Sequence, residues 1–404
     1  MNKLDLTDTR NRILPKMLAM QAQQGGDTEF LITDERRLTF AQAEAECNCI
    51  AAGLQALGVQ AGDRVCFYLD SGIETVLLAL ATNKLGAVWV PINTDYKGAW
   101  LSDTLQRSRA KVLVTEVALL DRVEAVSEAL SGEKLVVLGA DDQIRLPGAI
   151  SFAALGDHAP ITPDYTGMDY GDTCAVLWTS GTTGKPKGAM LSNNNLLRNV
   201  GGVMEELELT PEDRMACLLP MFHSFSMTVC VLLPMTQGLS IVAVKSLHPP
   251  KNIIGELLRH QATVLPAIPQ LYRALANVQM PPGMALRVCV SGAAPLPLEV
   301  LKAFNENVGI PLLEGYGLSE TSPVACFNPL HGEKKPGSVG LPIRGVEFQI
   351  WNDAGEVLPT GEQGEICIKG HNIMIGYWNN PEATAAAIKG DWFLSGDIGY
   401  LDED

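Results

Sequence analysis

Short apolar strands that alternate with helices restrict how this chain can fold more than any other feature. Two stretches share one order, in which Asp-Arg pairs at 63–64 and 213–214 precede a strand, a helix, a glycine and a second strand. Their strands are predicted at 65–69, 87–92, 215–219 and 239–244. Further apolar strands are predicted at 111–115, 134–138, 263–267 and 286–290. Because buried parallel strands form nearly continuous apolar runs, the sequence predicts an α/β fold with two related α/β subdomains and largely parallel sheets.

The pattern changes from about residue 336 onward. Residues 346–351 and 364–369 alternate polar with apolar side chains, and turn-forming residues lie between them. Such alternation is typical of an antiparallel sheet or barrel. A chain of 404 residues is also too long for one ordinary core. We therefore predict three regions, namely α/β subdomains at 1–190 and 191–335 and a C-terminal β-barrel-like subdomain at 336–404.

Charge and cysteine content exclude some classes of protein. The net charge of −16 argues against a nucleic-acid partner, because such binding requires clustered Lys and Arg. No run approaches the ~18 apolar residues of a membrane span, and the N-terminus lacks a signal-peptide core. The nine cysteines show no zinc-site spacing, and five of them lie in apolar strand-like runs. We expect a cytoplasmic protein with no disulfides and no transmembrane segment.

A polar, glycine-rich loop at 179–188 follows the predicted strand 174–178. Its hydroxyls and glycines offer donors that suit a polyphosphate, and its two lysines add positive charge. These residues are Thr179, Ser180, Gly181, Thr182, Thr183, Gly184, Lys185, Lys187 and Gly188. Ser192 can cap a helix that starts at Asn193, so we predict a strand, a phosphate loop and a helix. The spacing is not that of a Walker loop, and a flexible surface loop is the alternative that this composition disfavours.

Three later segments carry candidate ligand-binding residues. Small residues after the strand 288–290 let a flat ligand approach the backbone, although they also suit helix–sheet packing. In 314–320 a tyrosine between glycines offers a ring for base stacking, and a carboxylate suits Mg²⁺; a tight turn with a surface glutamate is the alternative. A Gly-Asp pair, itself a common turn, lies near the C-terminus. The candidates are Gly292, Ala293, Ala294, Glu314, Gly315, Tyr316, Gly317, Ser319, Glu320 and Asp397.

The order of these motifs closely resembles the adenylate-forming superfamily, which contains acyl-CoA synthetases, luciferases and peptide-synthetase adenylation domains. The resemblance implies two α/β subdomains and a distorted β-barrel, which together form that family's large N-terminal domain. It implies that the loop binds the phosphates of ATP and that 292–294 and 314–316 bind the base. Ser319, where the family usually has Thr, would bind the α-phosphate, and Asp397 would bind the ribose. The segment 376–379 would be barrel framework.

A narrower resemblance links 220–225, 313–323 and 328–330 to bacterial medium- and long-chain fatty-acyl-CoA ligases. It implies ATP-dependent formation of acyl-AMP and then transfer to CoA, with Thr179, Lys185 and Glu320 as catalytic residues. Glu320 would bind Mg²⁺. His223, Phe225 and Gly317 would border the acyl group, although a hydrogen-bonded histidine at a strand end is the alternative for His223.

Several readings stay open within this resemblance. The acceptor could be a carrier-protein phosphopantetheine, and the acid could be an aryl acid; the chain could also be a nucleotide-binding module without turnover. Residues 219–225 contain no carboxylate, which argues against an amino-acid substrate. Relatives continue past the position of Asp404 into a small domain of ~100 residues that carries a catalytic lysine. We therefore expect this chain to be an impaired N-terminal domain, and a homodimer is open.

Overall fold

Two large, mostly parallel sheets and one small antiparallel sheet organise the chain. The computed structural model describes residues 5–130, 132–179, 185–244 and 250–404. The α-helices of these ranges are α1 (Leu14–Gly25), α2 (Phe40–Ala56), α3 (Ile73–Lys84), α4 (Gly98–Ser108), α5 (Leu120–Glu124), α6 (Phe152–Gly156), α7 (Asn193–Glu206), α8 (Leu233–Gln237), α9 (Pro250–Arg259), α10 (Pro269–Leu275), α11 (Leu298–Val308) and α12 (Pro381–Ala387).

The strands are numbered in chain order. In the first half they are β1 (Glu29–Ile32), β2 (Arg37–Thr39), β3 (Arg64–Tyr68), β4 (Val88–Pro91), β5 (Val112–Glu116), β6 (Lys134–Leu138), β7 (Ile150–Ser151), β8 (Thr173–Thr179) and β9 (Lys187–Ser192). In the second half they are β10 (Arg214–Cys217), β11 (Ser240–Ala243), β12 (Val264–Ala267), β13 (Val288–Ser291), β14 (Leu312–Gly317), β15 (Val324–Phe327), β16 (Leu341–Pro342), β17 (Val346–Trp351), β18 (Gly364–Gly370), β19 (Gly376–Tyr377), β20 (Ile388–Lys389) and β21 (Trp392–Gly399).

The first large sheet has the order β19-β9-β8-β4-β3-β5-β6-β7 and is parallel from β8 to β7. Successive side chains of β3 enter different cores. Val65 and Phe67 belong to the larger core, whereas Cys66 and Tyr68 belong to a smaller core on the other face. Because both faces are covered, the four residues that follow Arg64 are all buried and largely apolar, which confirms the prediction of a buried parallel sheet.

The second large sheet has the order β16-β15-β14-β13-β12-β10-β11-β1-β2, with antiparallel strands at both ends. Both repeated stretches form the expected units, because β3 pairs in parallel with β4 and β10 pairs in parallel with β11. In the second unit the helix begins as a π-helix at Ser226–Leu232 and continues as α8. Strands β1 and β2 join this sheet although they lie early in the chain, so sheet membership does not follow the three predicted sequence regions, whose boundaries stay a prediction.

The small sheet has the order β17-β18-β21-β20 and is antiparallel throughout, as the change of pattern after residue 336 predicts. The prediction that residues 376–379 belong to the barrel framework is wrong for Gly376 and Tyr377, which form β19. That strand pairs with β9 of the first large sheet, with Gly376 opposite Met190 and Tyr377 opposite Ala189. It thereby covers an edge that β9 would otherwise leave unpaired.

The segment around the predicted phosphate loop differs from a simple strand–loop–helix unit. The strand β8 and the Ser192 cap of α7 are confirmed, but β9 lies between them and pairs antiparallel with β8. Gly188 belongs to β9, where a Cβ would lie only 2.8 Å from a methyl carbon of Val176. Close packing between the strands, rather than contact with an anion, therefore explains this glycine.

Within the ranges described, no helix combines the length and apolar character needed to cross a bilayer. All nine cysteines are free thiols, and every one except Cys49 is buried.

A buried ion pair joins α2 to α3. The side chain of Lys84 is fully buried, and its Nζ lies 2.7 Å from both carboxylate oxygens of Glu44. The Tyr165 hydroxyl is 3.3 Å from the same nitrogen. Only 16% of the Glu44 side chain is exposed, so removal of Lys84 would leave a largely shielded charge without its partner.

We expect Lys84→Met to lower the free energy of unfolding by about 3 kcal/mol, because it leaves Glu44 unpaired in a shielded site. Lys335→Met is the matched control, since Lys335 pairs with Asp402 while 44% of its side chain is exposed. That change should cost at most about 1 kcal/mol. Urea denaturation measures both values, and equal losses would contradict this account of the Lys84 pair.

Candidate functional site

The predicted site residues lie where strands of the two large sheets end. Thr179 is the last residue of β8 in the first sheet, and Ser291 and Gly317 end β13 and β14 in the second. The segments that follow β13 and β14 carry the remaining small and acidic candidates. Ligand sites in open α/β sheets form at the carboxyl ends of strands, so the topology supports a binding site here.

Glu320 lies at the centre of this region, on a single 3₁₀ turn at Ser319–Thr321. Only 7% of the residue is exposed. The Tyr377 hydroxyl donates to its Oε1 over 2.8 Å. The Thr179 hydroxyl lies 3.3 Å from the same oxygen and 3.3 Å from the carbonyl oxygen of Lys187, so it can donate to either. Glu320 thus connects the ends of β8, β14 and β19.

Tyr377 is the site residue that sequence reasoning missed. Burial and the neighbouring Glu320 raise the pKa of its phenol, so the hydroxyl stays protonated and remains a donor. The Nζ of Lys187 lies 5.1 Å from the centre of the Tyr377 ring, which is within the range of a cation–π contact. Nothing in the sequence relates Tyr377 to Glu320, because 57 residues separate them.

A cavity of about 140 Å³ lies beside this cluster. It brings together eight predicted residues, namely His223, Phe225, Gly292, Ala293, Gly315, Tyr316, Gly317 and Ser319. The remaining lining residues are Val203, Leu207, Ser224, Val229, Val290, Ser291, Leu318, Pro323, Val324 and Phe327. Ala294 and Glu314 are not among the residues that line it.

Two glycines shape the cavity through close approach. A Cβ at Gly317 would lie 1.8 Å from the carbonyl oxygen of Pro323, so no other residue fits there. A Cβ at Gly292 would lie 3.2 Å from the Phe225 ring, which packs directly on the backbone of this residue. Close approach of the Pro323 carbonyl therefore explains why residue 317 is a glycine. Gly317 also lines the cavity.

His223 has a side chain without charge near neutral pH. Burial lowers the pKa of its imidazole, so the ring is neutral at pH 7. Its ring lines the cavity and forms no hydrogen bond with any other described residue. This arrangement favours the cavity role over a structural, hydrogen-bonded histidine. Nearby, the hydroxyls of Ser224 and Ser319 lie 3.1 Å apart.

Glu314 holds the loop that follows β13. Its Oε1 accepts a hydrogen bond of 2.8 Å from the backbone N–H of Leu296, and burial raises the pKa of its carboxyl. Its backbone oxygen accepts a hydrogen bond from the N–H of Asn328. The side chain thus positions the segment that contains Gly292, Ala293 and Ala294.

Tyr316 and Asp397 lie in contact, although 81 residues separate them. The Tyr316 hydroxyl donates to Oδ2 of Asp397 over 2.7 Å. Burial and this carboxylate raise the pKa of Tyr316. The residues that the resemblance assigns to the base and to the ribose are therefore neighbours, as one nucleoside requires.

The two lysines of the predicted phosphate loop differ in their surroundings. Lys187 faces the Glu320 cluster, whereas the Lys185 side chain is 83% exposed and its Nζ lies 3.9 Å from Asp103. The loop residues Ser180, Gly181, Thr182, Thr183 and Gly184 lie outside the described residues.

A second group of potential metal ligands lies elsewhere. Nε2 of His260 is 2.8 Å from Asp34 and 3.5 Å from Glu256. Arg259 also contacts both carboxylates, which supplies them with a positive partner. This ion-paired group connects the loop after β1 to the end of α9, and none of its members lines the cavity.

This chain is similar in sequence and in fold to several acid–CoA ligases. A feruloyl-CoA synthase of an Amycolatopsis species is 31% identical over 371 residues, covering 91% of this chain and 72% of that protein. A long-chain-fatty-acid–CoA ligase of Bacillus subtilis (strain 168) is 29% identical, covering 98% of this chain and 75% of that protein. A crystal structure of the anthranilate CoA ligase AuaEII with anthranoyl-AMP has a TM-score of 0.92 at 27% identity, covering 97% of this chain and 76% of that one.

These three relatives are acid–CoA ligases, two of aromatic acids and one of long-chain fatty acids. The sequence pattern of AMP-binding enzymes matches residues 18–378 of this chain. The chain therefore belongs to the AMP-binding enzyme family.

Proposed function

We propose that this chain activates a carboxylic acid with ATP, giving acyl-AMP and pyrophosphate, and that the acyl group is then transferred to the thiol of CoA. The proposal rests on the position of Glu320. Its carboxylate accepts a hydrogen bond from Tyr377, and it lies beside an apolar cavity that Tyr316 lines. An enzyme that forms an acyl-adenylate needs a carboxylate to bind a metal ion, a pair of residues to bind the nucleoside and an apolar pocket for the acid. The acid–CoA ligases among its relatives support the same activity.

Glu320 is the residue that would hold Mg²⁺. Its carboxylate is a hard oxygen ligand, and both recorded side-chain contacts, from Tyr377 and Thr179, fall on Oε1. No described residue donates to Oε2, which leaves that oxygen for a cation. The bound ion would neutralise charge on the phosphates of ATP. Tyr377 acts here as a positioning residue, because its hydrogen bond to Oε1 fixes the carboxylate and thereby the direction of Oε2.

Tyr316 and Asp397 would bind the nucleoside. The ring of Tyr316 offers a face for adenine, and the Asp397 carboxylate can accept hydrogen bonds from ribose hydroxyls. The backbone of Gly292, Ala293 and Ala294 would border the base, held in place by Glu314. The loop residues 179–187, with Lys185 and Lys187, would bind the phosphates that leave.

The first chemical step is displacement at the α-phosphorus. A carboxylate oxygen of the acid bonds to this phosphorus, and the bond to the bridging oxygen of pyrophosphate breaks. In the second step the CoA sulfur bonds to the acyl carbon, AMP leaves with the electron pair, and the thiol proton passes to solvent. Positioning and charge stabilisation dominate such reactions. Ser319, near the cavity and adjacent to Glu320, would donate to the α-phosphate.

We infer the cellular compartment from the state of the cysteines and not from the candidate site. Free, mostly buried cysteines are usual in a reducing environment, which favours the cytoplasm.

The direct test supplies ATP, Mg²⁺ and CoA with a panel of aliphatic and aromatic acids. We expect slow, acid-dependent release of pyrophosphate with acyl-AMP detected by mass spectrometry and little acyl-CoA, as befits an impaired N-terminal domain. A folded protein that forms no adenylate with any acid and binds neither ATP nor an acyl-AMP analogue would overturn the proposal.

Asp397→Ala should weaken binding of a non-hydrolysable acyl-AMP analogue by about 10- to 100-fold, because it removes a charged acceptor for the ribose. Lys185→Ala should change this affinity less than about 3-fold, since its exposed side chain would serve the phosphates that acyl-AMP lacks. Asp391→Ala, in the exposed turn before β21, is the matched control and should have no effect. Calorimetric titration measures all three, and equal losses for Asp397 and Lys185 variants would contradict the ribose assignment.

Tyr377→Phe should reduce the rate of adenylate formation by about 10- to 100-fold and raise the Mg²⁺ concentration for half-maximal rate, because Oε1 of Glu320 loses its donor. Tyr68→Phe is the matched control, as its hydroxyl also makes a buried contact, 2.7 Å from the carbonyl oxygen of Tyr96, outside the site. The Mg²⁺ dependence of pyrophosphate release distinguishes positioning from simple loss of stability. An unchanged Mg²⁺ dependence in Tyr377→Phe would refute the positioning role.

A further inference from the structure

The cavity has an uncharged lining. Among the described residues that form it, none is Asp, Glu, Lys or Arg, and the titratable ones are His223 and Tyr316. Burial lowers the pKa of His223 and raises that of Tyr316, so both are neutral at pH 7. Charged groups of the site, such as Glu320 and Asp397, are absent from this lining.

The lining disfavours an acid that carries a second charge on its tail. A charged group moved from water into such a cavity would lose its hydration without gaining an ionic partner, which is a large cost. The reacting carboxylate does not meet this cost, because it faces the polar side of the site near Ser319. The tail of the acid should therefore be uncharged.

The size of the cavity sets a second condition. Its volume is about 140 Å³, and an apolar cavity of roughly 150 Å³ is known to take one benzene molecule. A long acyl chain would need several times this space, so most of it would lie outside the cavity and gain nothing from its apolar walls. The surrounding side chains are closely packed and do not yield without cost.

Helix α7 and Leu207, the residue that follows it, contribute one wall of this space. Val203 and Leu207 come from this region, and both are buried, at 3% and 1% exposure. Val229 of the π-helix and Phe327 of β15 add buried apolar surface, at 2% and 5% exposure. These side chains have no polar atoms, so they limit the tail by shape alone.

We propose that the acid has a compact, uncharged tail, of the size of one aromatic ring or a short acyl chain, and that Val203 and Leu207 set its upper size. This inference rests on the proposed function, since it takes the part of the cavity lined by Val203, Leu207, Val229 and Phe327 as the acyl site and the part lined by Gly292, Ala293 and Tyr316 as the base site. Aromatic and short aliphatic acids of this size both present a small apolar group attached to a carboxylate.

Acyl-sulfamoyl adenosines test the proposal by binding alone. The analogues carry benzoyl, butanoyl, dodecanoyl or succinyl groups, and AMP serves as the reference ligand in calorimetric titration. We expect the benzoyl or the butanoyl analogue to bind about tenfold or more tightly than the dodecanoyl and succinyl analogues. Comparison of benzoyl with butanoyl shows whether an aromatic or an aliphatic acid is preferred.

Substitutions of Leu207 and Val203 test whether these side chains limit the size of the acyl tail. Leu207→Ala should improve binding of an octanoyl analogue relative to benzoyl by about fivefold, because it lengthens the cavity. Val203→Phe should fill the space and weaken benzoyl binding while AMP binding persists. Leu197→Ala is the matched control, because Leu197 is fully buried on α7 and does not line the cavity. It should leave the octanoyl-to-benzoyl ratio unchanged.

The outcomes separate the two proposals. Failure to bind AMP or any analogue would count against the proposed function itself. Binding of AMP with dodecanoyl or succinyl analogues as tight as benzoyl would overturn the compact-tail inference and leave the function intact. An equal change of the ratio in Leu197→Ala and Leu207→Ala would refute the assignment of the wall.

Discussion

The candidate site depends on one buried carboxylate that contacts parts of both large sheets. Glu320 follows β14 in the second sheet, and its Oε1 meets Thr179 at the end of β8 and Tyr377 in β19 of the first. A buried carboxylate needs such donors, because burial without partners is costly. The same contacts that satisfy Glu320 therefore hold Thr179 and Tyr377 of the first sheet beside the turn that follows β14.

The polar and apolar parts of the site are separated by the chain's topology. Hydroxyls and carboxylates come from the ends of strands and the turns after them, as with Thr179, Ser319 and Glu320. Apolar walls come from the sides of helices and strands, as with Val203 and Phe327. This separation suits an acid with a reactive head and an apolar tail. It also explains why a second charge on the tail would lack a partner.

Local sequence predicted much of the fold. Strands such as β3 and β10 follow from nearly continuous apolar runs, because a sheet covered on both faces accepts few polar side chains. Those it accepts, such as Thr115 in β5, are hydrogen-bonded inside the sheet. The Ser192 cap of α7 was predicted from residue type, since only a few short polar side chains can bond the first N–H groups of a helix. The strand β9 was missed, because its first residues belong to the glycine-rich segment 179–188 and its last residue, Ser192, is the cap of α7.

The sequence by itself determined the α/β pattern, the order of the motifs and the chemical type of each candidate residue. Only the tertiary structure decided which candidates meet. Tyr377 reaches Glu320 because β19 pairs with β9, and Asp397 of the small sheet meets Tyr316 of the second large sheet although 81 residues separate them. The size of the cavity was equally beyond the sequence, since it results from α7, the π-helix and β15 packing together. Contacts between distant residues depend on sheet pairing and packing, which no local pattern of side chains encodes.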